Sequence, residues 1–299
     1  MSRFGFVILS FNHLQHTSEC LHSVLNLCST ARIYLVHNGS DKKQILQLKN
    51  QFSLPQVQHF ILEQNQGYSG GANYGLKMAF LMEDWVLFLT NDTLLDQLPS
   101  HLPRNKGLYA PLIFMKRNRK VDSLGGGLTL SNGHLYHIKD DPTFQKLKPK
   151  DKNQRRNTFS FHNDLLYVPG TAFLIDKETF EKVGGFDARL GTYWEDVDFS
   201  LKLQQKGLIL ETFPELKVLH KVGKTCHKDT YYSTYLFQRN RLIISWKYAS
   251  LFEKLSLIAS IISEIPKRFF RDFKYKKLSL FLLYLKALFQ AFKMIVTNK

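Results

Sequence analysis

The chain has 299 residues, enough for one large domain or two modest ones, and 44% of them are hydrophobic, which excludes a disordered chain. Its 41 Lys and Arg against 25 Asp and Glu give a formal charge of +16, which points to an anionic partner: nucleic acid, an acidic membrane or a phosphorylated substrate. Cys20, Cys28 and Cys226 form no CxxC pair and no metal spacing, so they fit reduced thiols rather than a disulfide framework. Phe4 to Phe11 is too short for a signal peptide and reads as a buried strand, so a cytoplasmic protein is expected.

In chain order, Phe4 to Ser10 has strand length and His16 to Leu27 helical periodicity. Arg32 to Val36 is a second strand ending at Asn38-Gly39-Ser40, Asp41 to Phe52 a helix, and His59 to Leu62 a third strand. Next comes the run Asn65-x-Gly67-x-x-x-Gly71-x-Asn73-x-Gly75, leading into a helical stretch from Tyr74 to Met82. Glycines at this spacing let backbone approach a bound group, and N–H groups where such a loop enters a helix can seat anionic oxygens. In isolation the run equally fits an ordinary strand-to-helix turn. Trp85 to Leu89 is a fourth strand, ending at Thr90-Asn91-Asp92-Thr93. The alternation predicts an α/β fold with a doubly wound, mostly parallel sheet, in which ligands bind beyond the carboxyl ends of the strands.

The middle of the chain is less regular. Gly125-Gly126-Gly127 followed by Ser131-Asn132-Gly133 suggests a hairpin, and Lys139 to Arg156 a basic connection. Tyr167 to Asp176 resumes strand character, and Asp196 to Lys206 is a helix stopped by Gly207. Leu208 to Thr212 and Val218 to His220 read as short strands.

From Tyr231 the chain is helical and aromatic. Asn240 to Lys299 carries 12 Lys/Arg against 3 Asp/Glu. Polar residues recur at 253, 256, 260, 264, 267 and 271, and again at 279, 286, 290 and 293, one stripe on each of two apolar helices. Pro266 should kink the first, and neither apolar run is uninterrupted long enough to predict a spanning helix. Lys267, Arg268, Arg271, Lys274, Lys276 and Lys277 cluster between them, which suits helices lying on an anionic membrane surface. The same helices also offer a surface for packing on the N-terminal part of the chain or for a homodimer.

Glu195-Asp196-x-Asp198 sets three carboxylates at a helix start, where the dipole stabilises anions. Helix capping is a common structural use of such residues. The order of segments then matters. Ser10-Phe11-Asn12, Val36-His37-Asn38-Gly39-Ser40, the Asn65 to Gly75 run, Leu89-Thr90-Asn91-Asp92-Thr93, Val183-Gly184-Gly185-Phe186-Asp187, Tyr193-Trp194-Glu195-Asp196-Val197-Asp198, His220 with Gly223, and Arg239-Asn240 follow one another. Over about residues 4 to 245 this order resembles the family 2 glycosyltransferases of GT-A fold, near their rhamnosyltransferase-like branch.

The resemblance implies a catalytic domain over 1–230, with a nucleotide-sugar half at about 1–100 and an acceptor half at about 101–230, while the amphipathic, basic pattern assigns 231–299 to a membrane-associating tail. It implies inverting transfer of a sugar from a nucleotide donor. Asp196 would be the base and Glu195 its nearest rival. Ser10, Asn12, His37, Asn38, Asn65, Gly67, Gly71, Asn73, Asn91, Asp92 and Arg239 would bind the donor. Gly185, Phe186, Trp194 and Asp198 would meet the acceptor. Asp92 and His220 would hold Mg²⁺ or Mn²⁺, weakly, because Thr90-Asn91-Asp92 lacks the first carboxylate of the family's Asp-x-Asp; Lys221, Lys224 and Arg239 would share the phosphate charge. His37 replaces an Asp that contacts the base, and Lys202 stands where many relatives have Arg.

The reading is a transferase peripheral on the cytoplasmic membrane face. It would move a deoxyhexose, with dTDP-rhamnose the single donor favoured, onto a lipid-linked or polysaccharide acceptor in surface glycan assembly. Nucleic-acid binding is the rival from charge, but no recognisable module accompanies the basic residues. A dinucleotide-dependent oxidoreductase would need its glycine fingerprint after the first strand, where Ser10-Phe11-Asn12 stands. The missing aspartates keep a non-catalytic assembly partner as a third alternative.

Overall fold

The computed structural model describes residues 2–139, 164–221 and 230–297. Cys226, Gly223, Lys224 and nearly all of the basic connection from Lys139 to Arg156 lie outside them.

Four apolar strands, β1 (Phe4–Ser10), β2 (Arg32–Asn38), β3 (Val57–Leu62) and β4 (Trp85–Thr90), alternate with helices α1 (Leu14–Leu27), α2 (Lys42–Gln51) and α3 (Gly67–Ala79). The strands pair in parallel in the order β3-β2-β1-β4. The chain therefore leaves β1 to one side first and returns to its other side with β4. The carboxyl ends of β1 and β4 flank this reversal, where α/β sheets open a crevice.

The sheet continues with β5 (Thr93–Gln97), β6 (Gly107–Met115), β7 (Val121–Ser123), β11 (Ala172–Asp176) and β12 (Ile209–His220), nine strands in all. β11 lies antiparallel between β4 and β6, and β12 parallel to β6, so the sheet is mixed but mostly parallel. The sequence pattern suggested two short strands where β12 is one. The register shifts between Phe213 and Lys217, around Pro214, which has no N–H for the ladder. The Gly-rich hairpin forms as β8 (Gly126–Thr129) and β9 (His134–His137), and β10 (Asp164–Tyr167) completes a small antiparallel sheet with them.

Alternation along the strands feeds two cores. Phe6, Ile8, Ile33 and Leu35 pack beneath α1 and α2, while Val7, Leu9, Tyr34 and Val36 pack beneath α3. The second core continues under α4 (Lys177–Val183) and α5 (Glu195–Gln205) through Phe180, Phe186 and Phe199. A third joins the small sheet, Trp194, Val197 and Leu201 to α6 (Thr230–Tyr248) through Ile244.

The tail continues with α7 (Leu251–Lys274) and α8 (Leu278–Thr297). A reciprocal Ser250–Glu253 capping box starts α7, which runs through Pro266 as one helix. Arg241 pairs with Glu264 at 2.6 Å, tying α6 to α7, and the Tyr284 hydroxyl of α8 donates to Glu264 at 3.3 Å. Despite Lys286 and Lys293, α8 is long and apolar enough to cross a membrane by length and composition, contrary to the expectation from the interrupted apolar runs. Tyr284, Ala287 and Ala291 are nevertheless buried within the protein.

Candidate active site

A cleft of about 460 Å³ opens at the β1–β4 reversal, between the large sheet, the start of α3, the start of α5 and the small sheet. Among its walls are Asn38, Asn65, Gly67, Asn91, Asp92, Trp194, Glu195, Asp196 and His220, so nine of the residues picked from the sequence share one hollow.

One wall is the Glu195-Asp196 helix start. Tyr193 and Trp194 approach it with φ of 70° and 71°, a conformation uncommon for large side chains. What holds them is Asn240, buried on α6, whose amide donates to the carbonyls of Leu190, Thr192 and Tyr193. The neighbouring Arg239 donates to the carbonyls of Arg189 and Leu190. Arg239 thus grips the loop, and it is not among the residues lining the cleft.

Asp196 is part-buried, with Oδ2 accepting from the Gly170 N–H at 2.9 Å and Oδ1 from Val197 N–H at 2.8 Å. Burial pushes its carboxyl above the ordinary value, while these amides pull the other way by favouring the anion. Glu195 is more deeply buried, and its Oε2 has no hydrogen-bond partner. Burial, and then the neighbouring Asp196 charge, push it up strongly. Of the two, Asp196 is the group whose ionised form is supported.

The facing wall is the β4–β5 turn. Asp92 Oδ1 accepts from the Thr90 hydroxyl at 2.7 Å, and Asp92 Oδ2 lies 3.7 Å from His220 Nε2. His220 Nδ1 meets Asp122 Oδ2 at 3.2 Å. Burial lowers the imidazole's pKa, but hydrogen bonds to Asp122 and then Asp92 more than offset it and hold it up at about 9. No group of three or more metal-binding side chains exists among the described residues. Asp92 could hold a divalent cation only with diphosphate oxygens and waters completing its shell, and His220 could join it only as the neutral imidazole, since the protonated ring has no lone pair to give. The Thr90 N–H donates to the Thr171 carbonyl at 3.0 Å, and the Tyr68 hydroxyl donates to the Gly170 carbonyl at 2.6 Å. The 170–171 segment thereby links the Asp92 turn to Asp196.

The glycine run does not make the anion seat expected of it. The helix begins at Gly67 rather than near Tyr74, so most of the run lies inside α3. The N–H groups of Gly67, Tyr68 and Ser69 donate to Asn65 Oδ1, Thr192 Oγ1 and the Gly191 carbonyl. A Cβ on Gly71 would meet Leu9 Cδ1 at 2.6 Å and Asn38 Nδ2 at 2.9 Å, so this glycine brings α3 onto the sheet and is absent from the cleft wall. Asn38 donates to Asn65 Oδ1 and the Gly67 carbonyl and accepts from Gln66 N–H, fixing the loop.

Other residues expected at the site make structural contacts or line a neighbouring hollow. Asn73 clasps the Phe186 backbone through both amide atoms, Gly185 passes against the same asparagine, and Phe186 stacks on Phe199 in the core. Ser10 is buried against the Thr17 hydroxyl. Asp198 is fully buried and binds Lys247, Lys202 and Tyr248. His37 is fully buried beside His59, 3.0 Å away, on the α2 side of the sheet. Asn12 lines a neighbouring hollow of about 670 Å³ with Phe11, His13, Asp41 and Gln44. Sequence reasoning missed Tyr68, Asp122, His137, Gly170, Thr171 and Phe237. Only Tyr68 stood inside a motif; the rest are single residues brought in by strand pairing and by α6.

Residues 6–104 match the family model for glycosyl transferase family 2. The N-acetylglucosaminyl-diphospho-decaprenol L-rhamnosyltransferase of Mycobacterium tuberculosis is 31% identical over 88 residues, 27% of this chain and 29% of that protein. The O-antigen biosynthesis protein RfbC of Myxococcus xanthus is 24% identical over 206 residues, 66% of this chain and 15% of that protein. The matches thus span less than a third of these relatives' own lengths. Among solved structures, the mannosyltransferase PcManGT from Pyrobaculum calidifontis, in complex with GDP-Man and Mn²⁺, superposes with a TM-score of 0.52 at 10% identity, covering 100% of this chain and 88% of that one. S. aureus TarS 1-349 gives 0.51 at 12% identity, covering 97% and 80%. These two likenesses speak to fold, which is the GT-A architecture. Fold, motif order and sequence matches agree: residues 6–104 are similar to the family 2 glycosyltransferases, and the chain as a whole has the GT-A fold.

Proposed function

We propose that this protein is an inverting glycosyltransferase that moves a deoxyhexose such as rhamnose from a nucleotide sugar to a lipid-linked or polysaccharide acceptor. The observation that carries the reading is the single cleft joining Asp92 and His220 to Asp196. In the reaction, Asp196 takes the proton from an acceptor hydroxyl. That oxygen attacks the anomeric carbon from the face opposite the leaving group, and the bond to the diphosphate breaks, its electron pair leaving with the nucleoside diphosphate. His220, cationic between Asp92 and Asp122, faces the departing charge. Mg²⁺ or Mn²⁺ held by Asp92 and the diphosphate would add Lewis-acid charge at the same place.

The names of the M. tuberculosis and M. xanthus relatives support surface-glycan chemistry. A tail with exposed Phe270, Phe273, Leu278 and Leu282 beside Lys274, Lys276 and Lys277 supports docking on an anionic membrane, with the acceptor presented from the bilayer on the cytoplasmic face. Thermal shifts against a panel of nucleotide sugars, with and without Mn²⁺, test the donor. Selective stabilisation by a dTDP-deoxyhexose, followed by its transfer to a prenyl-diphosphate glycan, is the expected result. Binding without turnover in any pairing would favour the alternative of a non-catalytic assembly partner.

A further inference from the structure

Behind the Asp92 turn lies a second hollow, of about 710 Å³, walled in part by His16, Glu19, Lys116, Arg117, His220 and Lys221. Its size falls within the roughly 300–1,000 Å³ of ordinary ligand pockets. It shares only His220 with the reaction cleft. Backbone bonds fix the two together: Lys221 N–H donates to the Asp92 carbonyl at 3.0 Å and Lys116 N–H to the His220 carbonyl at 2.8 Å.

The charge arrangement is unusual. Glu19 Oε2 is 2.9 Å from both the Lys116 and the Lys221 ammonium, and Gln15 donates to Glu19 Oε1. The Lys221 side chain is only 8% exposed, where lysine is rarely found unless paired. Arg117, exposed on the same wall, makes no ion pair among the described residues. Lys116 and Lys221 therefore share the Glu19 carboxylate while Arg117 stands beside them without one, so these four side chains leave an excess of two positive charges on the wall of the hollow. The buried Nδ1 of His16 has no hydrogen-bond partner. A surface made only for solubility would not bury one ammonium and crowd a second onto the same carboxylate oxygen.

We infer that this hollow is a second phosphate subsite, which binds the diphosphate group of a substrate beside the reaction cleft. Two substrates of the proposed reaction carry that chemistry: the nucleotide donor and a lipid-diphosphate acceptor. Which of them occupies the hollow rests on the transferase reading; that the hollow binds diphosphate does not.

Titration calorimetry of the full chain with inorganic pyrophosphate tests the site, without divalent cation. The charge reversal K116E/R117E, at two exposed positions, should weaken binding by about tenfold or more, as loss of charged hydrogen bonds implies. The charge-conserving K116R/R117K should hold affinity within about threefold. Equal affinity in wild type and K116E/R117E overturns the proposal, provided circular dichroism shows both folded. Repeating the titration with the cleft saturated by dTDP and Mn²⁺ separates the sources. Charge-sensitive binding that survives saturation, and is displaced by geranyl diphosphate, assigns the hollow to the acceptor; charge-sensitive binding lost on saturation assigns it to the donor. Pyrophosphate binding in a protein that transfers no sugar would keep the subsite and remove the transferase reading, and sugar transfer with charge-insensitive binding would do the reverse.

Discussion

The backbone N–H of Gly170 donates to Asp196 Oδ2 at 2.9 Å, so the proposed base is gripped by the segment that also receives the Thr90 N–H from the opposite wall. One carboxylate oxygen is fixed by the turn between β10 and β11 and the other by its own helix, while Glu195 next door keeps an oxygen without a partner. Asp196→Asn should lower kcat by about 10²–10⁴, the usual worth of a positioned base, with donor KM nearly unchanged. Glu195→Gln should cost less than about tenfold. Because the Asp196 carboxyl titrates above its ordinary value and must be ionised to act, kcat/KM should rise with pH along an acid limb displaced upward from that of an exposed aspartate. Equal losses in the two variants would remove the assignment of roles.

His37 and His59 form a second test, of stability rather than rate. Burial, and then the neighbouring His59, hold the His37 imidazole down at about 4. Its unfolded value is near 6.5, so the unfolded chain binds the extra proton first as pH falls. The contribution is complete above about pH 6.5 and lost progressively towards pH 4, reaching about 3 kcal/mol. Urea unfolding should show a pH 7 to pH 5 loss that shrinks by about 2 kcal/mol in His37→Asn. Donor affinity should not move, since His37 lines none of the hollows around the cleft. An unchanged pH difference, or a large loss of donor binding, contradicts this picture.

Gly71 marks where sequence reading succeeded and where it failed. The βαβ rhythm, the strand ends and the carboxylates of Asp92, Glu195 and Asp196 were legible because periodicity and charge are local signals. The use of each glycine was not, because a Cβ-free position for a ligand and one for helix–sheet contact look identical in sequence. The same blindness applies to Asn73, Arg239 and Asp198, polar residues in motifs whose partners are backbone groups or charges far along the chain. Gly71→Ala should therefore act on folding. Its methyl would have to displace Leu9 and Asn38, at a cost of about 1–3 kcal/mol. A fall of several degrees in Tm with donor affinity retained in the folded fraction is expected; lost affinity at unchanged Tm would restore the phosphate role.

Asp198 connects the helix of the proposed base to the tail. Its Oδ1 lies 2.6 Å from the Lys247 ammonium and accepts the Tyr248 hydroxyl at 2.8 Å, and its Oδ2 lies 2.8 Å from Lys202. The carboxylate is fully buried, but Lys247 and Lys202 side chains are 40% and 24% exposed, so both can turn to water when it is removed. Asp198→Ala should cost about 1–3 kcal/mol rather than the larger penalty of stranding a charge. Proteolysis after Tyr248 should accelerate in this variant as α6 loosens from α5. An unaltered digestion pattern would show that the tail is held by other contacts.

The tail makes the sharpest prediction about place. Phe270 and Phe273 are about two-thirds exposed near the end of α7, and Leu278, Leu282, Phe289 and Phe292 are exposed along α8. Lys274, Lys276 and Lys277 sit at the junction of the two helices. Apolar burial and headgroup attraction are separable. Each lysine near an anionic leaflet contributes about 1 kcal/mol, so K274E/K276E/K277E should abolish most flotation with phosphatidylserine vesicles at low salt. Phe270→Ser with Phe273→Ser should weaken flotation at high salt as well, since apolar burial is not screened. Analytical ultracentrifugation without lipid distinguishes a second copy as the covering surface: wild type dimeric and the phenylalanine variant monomeric, with neither floating, would move this face from the membrane to a protein interface.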